Sequence, residues 1–188
     1  ITYADIYRPT TKARAIKYDI GLIIGGSLFI AICAQISVYI PFNPVPITGQ
    51  TFGVLLIGAL LGSIRGGLAI LAYISEGAAG LPFFAGGNAG LLPLIGPTGG
   101  YLIGFVLGAY VVGRLAESGW DRRVVTVIPA MVIGTLIIFS VGIIRLTHFV
   151  GIDQVLIVGL FPFIPGALIK ISLAAILLPW GWRFFRDK

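Results

Sequence analysis

The sequence predicts an all-α integral membrane protein, a single domain built as a compact bundle of six transmembrane helices. Hydrophobic residues make up 57% of the 188 residues, and only 11% are charged, against roughly 25% in a typical soluble domain. Six apolar runs also follow one another along the chain. So little charge cannot cover a globule of this size, and we therefore expect the apolar surplus to face lipid.

The six predicted spans cover residues 20–40, 51–64, 66–81, 99–116, 124–146 and 160–184. The second and third runs are shorter than the ~20 residues that cross a bilayer, and only Arg65 separates them. A single long helix over residues 51–81 is therefore an alternative. Residues 1–18 are polar and basic, and we interpret them as a cytoplasmic segment. A secretory signal is disfavoured, because the apolar run that follows is too long and further spans come after it.

The distribution of basic residues favours six spans over five. Eleven of the 13 Lys and Arg residues lie on segments that six crossings place on one side of the membrane. These segments are residues 1–19, the Arg65 turn, residues 114–123 and the C-terminus with Arg183, Arg186 and Lys188. The opposite loops, 41–50, 82–98 and 147–159, hold no basic residue. Because basic residues accumulate on cytoplasmic segments, we expect both termini inside. The net charge of +6 then indicates orientation and contact with anionic lipid, and not nucleic acid.

The first two outer loops are apolar and rich in glycine and proline. They read PFNPVPITGQ (41–50) and, within residues 81–100, LPFFAGGNAGLLPLIGPTGG. A solvated loop would be polar, so we expect both to pack on the bundle as a lid or pocket wall. Glycines four residues apart predict close helix packing, with a partner-docking surface as the alternative. These glycines are Gly58, Gly62, Gly66, Gly96, Gly100, Gly104 and Gly108.

Two ionisable residues lie inside the predicted spans. Lys170 lies ~20 Å along the sixth span from Arg183, in the outer half of the membrane, where an unpaired lysine costs ~2.5–3.5 kcal/mol on insertion scales. Its expected partner is a carboxylate of a substrate or of the protein, and snorkelling to the interface is the alternative. Glu76 is predicted near mid-membrane. It is a candidate ligand contact, a partner of Lys170 or Arg145, or a helix terminator.

Asn88 lies in the Gly-rich loop, where its amide can donate to and accept from a neutral polar ligand. The flanking Gly86 and Gly87 would let the backbone come close to that ligand, and a simple turn-forming role is the alternative. Aromatic side chains of the same region either line the cavity or form an interfacial belt; they are Phe83, Phe84 and Tyr101. Arg145, near the end of the fifth span, is a further site candidate or an interfacial anchor.

The sequence contains no nucleotide-binding or hydrolase motif. It lacks GxxxxGK[ST], HExxH and GxSxG, and therefore indicates no Walker-type ATP site and no enzyme. A single cysteine, Cys33, and a single histidine, His148, exclude a disulfide framework and a structural zinc site. We predict no metal and no cofactor, but an outward-facing pocket for a small organic carboxylate. A membrane enzyme acting on a small amphiphile and a channel are the alternatives of other classes.

Four strings of the sequence resemble the BioY family, the biotin-binding S components of energy-coupling factor (ECF) transporters. They are PFNPVPITGQ (41–50), GLPFFAGGNAG (80–90), GPTGGYLIGF (96–105) and PFIPGALIK (162–170), and the resemblance covers residues 20–185. It implies a six-helix subunit of the prokaryotic plasma membrane that captures biotin outside with high affinity. Delivery inward would use a transmembrane coupling subunit and two ATPase subunits, or the chain would act alone.

The resemblance also implies roles for individual residues. Asn88 would hydrogen-bond the biotin head group, and Lys170 would belong to the same polar site, where contact with the carboxylate is our own chemical inference. Residues in loops 45–50 and 81–90 and at the start of the fourth span would cover the ligand, among them Thr48, Gln50, Thr98 and Tyr101. Many family members carry an acid where this chain has Ala167, and Glu76 is a candidate substitute. Another vitamin or small carboxylate is the alternative ligand.

Overall fold

The computed structural model describes residues 1–186 and the side chains of residues 1–183. The described chain forms nine α-helices. They are α1 (Tyr3–Ile6), α2 (Lys12–Gln35), α3 (Gln50–Leu61), α4 (Ser63–Ala78), α5 (Leu92–Ile95), α6 (Gly99–Glu117), α7 (Val124–Val150), α8 (Val155–Gly159) and α9 (Ile164–Arg186). Two short strands, β1 (Ser37–Val38) and β2 (Ile47–Thr48), pair antiparallel across the first loop. Single 3-10 turns cover Ala85–Gly87 and Phe161–Phe163.

Four helical stretches of the described chain are long and apolar enough to cross a membrane: Lys12–Gln35, Gly99–Glu117, Val124–Val150 and Val155–Arg183. Helices α3 and α4 are shorter, with 12 and 16 residues. The prediction of a helical multi-pass membrane protein is confirmed. The number of six crossings and the cytoplasmic location of both termini stay predictions. Of the basic residues counted at the C-terminus, Lys188 and the side chain of Arg186 lie outside the described residues.

The alternative of one long helix over residues 51–81 is wrong. The backbone breaks at Gly62, whose φ of +86° is a conformation that favours glycine, three residues before Arg65. The first long helix also differs from the predicted run, since it begins at Lys12 and not near residue 20. Lys, Ala and Arg are good helix formers, so the helix extends past the apolar stretch into the charged segment. It ends at Gln35, and residues 36–40, which include β1, are not helical.

Helix α6 lies at the centre of the bundle, in contact with α3, α4, α5 and α7. Within its apolar stretch 61% is buried, against 28% for α2 and 17% for Val155–Arg183. Small residues allow this close approach. A Cβ atom at Gly58 would lie 2.5 Å from the carbonyl oxygen of Ala109, and one at Gly104 would lie 2.9 Å from that of Ile138. The predicted close packing of glycines is thus confirmed at these positions, whereas Gly62 ends a helix.

The N-terminal segment covers one end of the bundle. This end, which we call the closed end, consists of the C-terminal ends of α3 and α6 and residues 178–182 of α9. The guanidinium group of Arg65 in α4 bonds the carboxylate of Asp5 and lies 3.5 Å from that of Asp19 in α2. Burial acts to raise the pKa of Asp5, but hydrogen bonds from Thr2 and Arg65 outweigh it and lower this pKa. The segment is therefore held by an ionic network that joins α1, α2 and α4.

Asp121, between α6 and α7, is a buried carboxyl group at the closed end. It is only 2% exposed. Its Oδ2 atom accepts a hydrogen bond of 2.6 Å from the Trp182 indole, but no donor in the described chain reaches its Oδ1 atom. Desolvation raises the pKa of Asp121, while the bond from Trp182 and the charge of Arg122 act in the opposite direction. A charge at this position therefore opposes folding.

Replacing Gly58 by Ala should lower the free energy of unfolding by about 1–3 kcal/mol, because the added methyl group would press on the α6 backbone at Ala109. Gly25→Ala is the matched control, since a Cβ atom there meets nothing within 4 Å. Thermal unfolding of both variants in one detergent measures the difference. A Gly58→Ala midpoint equal to that of the wild type would show that α3 and α6 are not in this contact.

Replacing Asp121 by Asn should raise the free energy of unfolding at pH 8 by about 1–3 kcal/mol, because Asn keeps an acceptor for Trp182 and removes the buried charge. Folding raises the pKa of Asp121, so ionisation of this group costs stability fully above the folded pKa. The cost declines as the pH falls below that value and is gone below the unfolded pKa. The difference between variant and wild type should therefore shrink on acidification in thermal unfolding. Asp153→Asn, in an exposed loop, is the control, and a difference that grows on acidification contradicts the assignment.

Candidate functional site

A cavity of about 290 Å³ lies at the end of the bundle opposite the closed end. Helices α3, α6, α7 and α9 form its walls, and the loops before α3 and before α6 form its cover. Several aromatic side chains line the cavity; they include Phe52, Phe84, Tyr101, Phe105, Phe139 and Phe163. An apolar concave site of this size with a few polar groups is typical of a pocket for a small organic ligand. The expectation that both Gly- and Pro-rich loops pack down as pocket walls is confirmed.

Lys170 of α9 places its ammonium group in the cavity wall. Its Nζ atom donates to the carbonyl oxygen of Thr48 at 2.5 Å and to the hydroxyl of Thr51 at 2.7 Å. No ion pair of Lys170 with a carboxylate occurs among the described residues. Neutral oxygens therefore solvate the ammonium group without cancelling its charge. The side chain also bonds inward to α3, which excludes the alternative of snorkelling to the interface.

A buried polar chain supports Thr48, one of the two partners of Lys170. The hydroxyl of Thr48 donates to Oε1 of Gln50 at 2.9 Å, and Nε2 of Gln50 donates to the hydroxyl of Tyr73 in α4 at 2.6 Å. Thr48 and Gln50 are 8% and 6% exposed, so each bond replaces water that is absent there. The chain fixes the end of β2 against α3 and α4. It thereby keeps the Thr48 carbonyl in position for Lys170.

Asn88 lies in the loop that covers the cavity and lines it. Its Nδ2 atom donates to the carbonyl oxygen of Ala85 at 2.7 Å, and its backbone carbonyl accepts from the amide of Phe84 at 3.0 Å. Asn88 therefore does form a turn, as the alternative reading of the sequence had it. An amide offers one further donor and its oxygen as acceptor, so a turn-forming Asn88 still has groups for a ligand.

Seven of the predicted site residues line the cavity: Thr48, Gln50, Phe84, Asn88, Thr98, Tyr101 and Lys170. Thr98 and Tyr101 lie at the start of the central helix. The hydroxyl of Thr98 donates to the carbonyl of Pro93, and that of Tyr101 donates to the carbonyl of Gly159, each at 2.8 Å. The first bond attaches the cover to α6, and the second attaches α8 to it.

Five predicted site residues lie outside the lining: Glu76, Phe83, Gly86, Gly87 and Arg145. Glu76 accepts a hydrogen bond from Ser27 of α2. Arg145 donates to the carbonyl of Ile95 at 2.5 Å, and its guanidinium lies 5.3 Å from the ring centroid of Phe149. Among the described residues Glu76 therefore forms no ion pair with Lys170 or Arg145. The glycines shape the cover, since both have positive φ, +67° at Gly86 and +75° at Gly87.

Sequence reasoning missed part of the lining, notably Thr51 of α3 and the α7 residues Met131, Thr135 and Phe139. The α7 residues are four positions apart, which places them on one helix face. This spacing was the available signal. It is weak in a membrane helix, because lipid, a neighbouring helix and a cavity all accept apolar side chains.

Comparisons with known proteins identify the family. The family model described as "BioY family" matches residues 9–187. The chain belongs to the BioY family. BioY relatives named "Biotin transporter BioY" include that of Thermotoga maritima, 40% identical over 73% of this chain and 81% of its own, and that of Rhizobium etli, 37% identical over 80% and 87%. The family prediction is thus confirmed.

The fold agrees with that of a solved protein. A crystal structure described as "the S-component for biotin from an ECF-type ABC transporter" superposes with a TM-score of 0.79. The two sequences are 28% identical, and the match covers 96% of each chain. This BioY chain therefore has the architecture of that S-component over nearly its whole length.

Replacing Gln50 by Leu should lower the free energy of unfolding by about 1–3 kcal/mol, because the buried hydroxyl groups of Thr48 and Tyr73 lose a partner. Gln154→Leu is the matched control, since Gln154 is exposed in a loop. Thermal unfolding in detergent measures both variants. A Gln50→Leu protein as stable as the control would mean that the polar chain does not support the site.

Proposed function

We propose that this chain is a membrane subunit that binds biotin and takes part in its uptake. The observation that carries the proposal is an ammonium group without a carboxylate partner in the described chain, set in the wall of an aromatic cavity. Such a group favours an anionic ligand, because a carboxylate supplies the missing countercharge in a low-dielectric site. Two relatives named as biotin transporters and a biotin S-component of the same fold support biotin as that ligand.

The chemistry of biotin suits the lining. Its fused ring system is largely apolar and would pack on aromatic walls such as Phe105 and Phe139. Its ureido group both donates and accepts hydrogen bonds, as does the amide of Asn88. Its carboxylate would pair with Lys170. A few convergent polar groups within an apolar cavity would then give orientation, while ring burial gives most of the affinity.

The charge distribution supports capture from outside. Apart from Arg145, the exposed basic residues of the described chain lie at the closed end; they include Lys12, Arg14, Lys17, Arg114, Arg122 and Arg123. Positive residues accumulate on cytoplasmic segments. We therefore place the closed end and both termini inside the cell, with the cavity opening outward and six helices crossing the plasma membrane.

Movement of biotin inward would need an energy source, and the sequence has no phosphate-binding loop. We propose an ECF module as the partner, with a transmembrane coupling subunit and two ATPase subunits. The S-component from an ECF-type transporter that shares this fold supports this choice. A chain that works alone is the alternative, and uptake assays with and without the module distinguish the two.

Replacing Lys170 by Met should weaken biotin binding by about 10- to 100-fold, because the ligand carboxylate loses a charged hydrogen bond. The affinity for biotin methyl ester should change much less, since the ester carries no charge. Asn88→Ala should weaken both ligands alike, by about three- to tenfold. Isothermal titration calorimetry in detergent measures the affinities, with Lys17→Met, an exposed lysine of α2, as the control.

Unchanged biotin affinity in both Lys170→Met and Asn88→Ala would reject this site. A wild-type protein that binds thiamine, riboflavin or another small carboxylate, but not biotin, would keep the pocket and replace the ligand. Mass spectrometry of small molecules released from the purified protein provides an independent identification.

A further inference from the structure

Helix α9 contains a proline near the closed end of the bundle, where the helix can bend. Pro179 lies inside the helix, where it has no N–H to donate to the carbonyl of Ala175 and its ring crowds that carbonyl, so a helix bends there. Around this proline α9 is buried on one face, with Leu178 and Pro179 buried and Trp180 exposed, so only the contacts of that face oppose such a bend. The position of the rest of α9 therefore depends both on its packing against α7 and on what holds this face around Pro179.

The N-terminal segment holds α9 at this proline through Tyr3. The Tyr3 hydroxyl donates to the carbonyl of Leu178, the residue directly before the proline. Its ring packs on Trp182 with the centroids 4.5 Å apart, and a Cβ atom at Gly181 would lie 2.6 Å from the Tyr3 hydroxyl oxygen. Tyr3 thus contacts α9 on both sides of Pro179.

The same segment is anchored to α3 and α4. Thr2 is fully buried, and a Cβ atom at Gly62, where α3 ends, would lie 3.3 Å from the Cγ2 atom of Thr2. The carboxylate of Asp5 bonds Arg65 of α4. Residues 2–5 therefore link α9 to the end of α3 at the closed end of the bundle.

Lys170 links the same two helices at the cavity. Its bonds to Thr48 and Thr51 join α9 to the start of α3. Leu178 follows eight positions later, which is about two helical turns or ~12 Å. The stretch of α9 between Lys170 and Leu178 is thus fixed to α3 at one end by the lysine and at the other end through Tyr3.

We propose that Tyr3 is a positioning residue for the binding site. Its contacts with α9 on both sides of Pro179, which we call the brace, hold the ammonium group of Lys170 in the cavity wall. The proposal rests on the proposed function, since its effect on binding passes through the pairing of Lys170 with a ligand carboxylate. Tyr3 itself lies at the opposite end of the bundle and does not line the cavity.

Two substitutions grade the loss of the brace, Tyr3→Phe and Tyr3→Ala. Tyr3→Phe removes the hydroxyl bond to Leu178 and keeps the ring on Trp182, so biotin affinity should fall about threefold. Tyr3→Ala removes both contacts, so biotin affinity should fall about tenfold. Affinity for biotin methyl ester should stay within about twofold. Tyr110→Phe is the matched control, since Tyr110 lies on α6 and is 47% exposed.

A double-mutant cycle tests whether the effect passes through Lys170. Tyr3→Ala combined with Lys170→Met should bind biotin no more weakly than Lys170→Met alone. Losses that add, or an equal loss of acid and ester binding, would overturn the proposal, because they indicate a general loosening of the bundle.

Spin-label distances test the brace without any ligand. Labels at Leu168 of α9 and Ile144 of α7, which are 62% and 66% exposed, report the position of the outer half of α9 after Cys33→Ser. Tyr3→Ala should broaden the distance distribution relative to the wild type and to Tyr110→Phe; an unchanged distribution overturns the brace. If wild-type protein binds no biotin, the proposed function fails, and this measurement still decides the brace.

Discussion

The rest of this structure depends on how a single ammonium group is accommodated within a lipid-facing bundle. The side chain of Lys170 needs oxygen atoms around it, and the chain supplies a backbone carbonyl at Thr48 and a hydroxyl at Thr51. Both lie where β2 passes into α3, so the short hairpin and the first turn of α3 have to be held in place. The buried bonds of Gln50 with Thr48 and Tyr73 do this. Solvation of one charge by neutral groups thus leads to a fixed set of polar groups in the wall of an apolar cavity.

The cavity exists because the bundle is packed tightly elsewhere. Glycines on α3, α6 and α7 bring helix backbones together along much of their length. Backbones also meet at the cavity end, where a Cβ atom at Gly100 would lie 2.7 Å from the carbonyl oxygen of Val141. Large rings and loop residues line the space that remains there. Thr98 bonds the loop that covers the cavity, and Tyr101 bonds α8.

Much of this arrangement could be predicted from the sequence. Composition and apolar runs indicated a helical membrane protein, and the apolar, Gly- and Pro-rich loops indicated a cover over a pocket. The amide of Asn88 and the ammonium group of Lys170 both line one cavity. They could be predicted as site residues because each is a polar group in a segment whose neighbours are apolar. Such isolated polar groups are expensive in lipid and are therefore informative.

Other features could not be predicted, for physical reasons. Glu76 bonds Ser27, which lies 49 positions earlier, and nothing in the local sequence specifies which helix a buried carboxyl group contacts. Arg145 has a carbonyl and a ring as partners, although a guanidinium group can pair equally well with several other kinds of partner. The break at Gly62 depends on a positive φ, which a lone glycine between apolar runs permits but does not require.

The length of α3 has a consequence for where a bound molecule would lie. Its 12 residues extend ~18 Å, whereas the hydrocarbon core of a bilayer is ~30 Å thick. In the six-crossing topology proposed above, thinning of the membrane cannot meet this deficit, because other helices surround α3. The segment before α3 would meet it instead, and its backbone polar groups are satisfied by the β1–β2 pairing and by the Asn43 side chain, which bonds Val158 and Val45. In the proposed orientation the binding site would then lie below the level of the lipid head groups, and a solute would enter it between protein loops without meeting acyl chains.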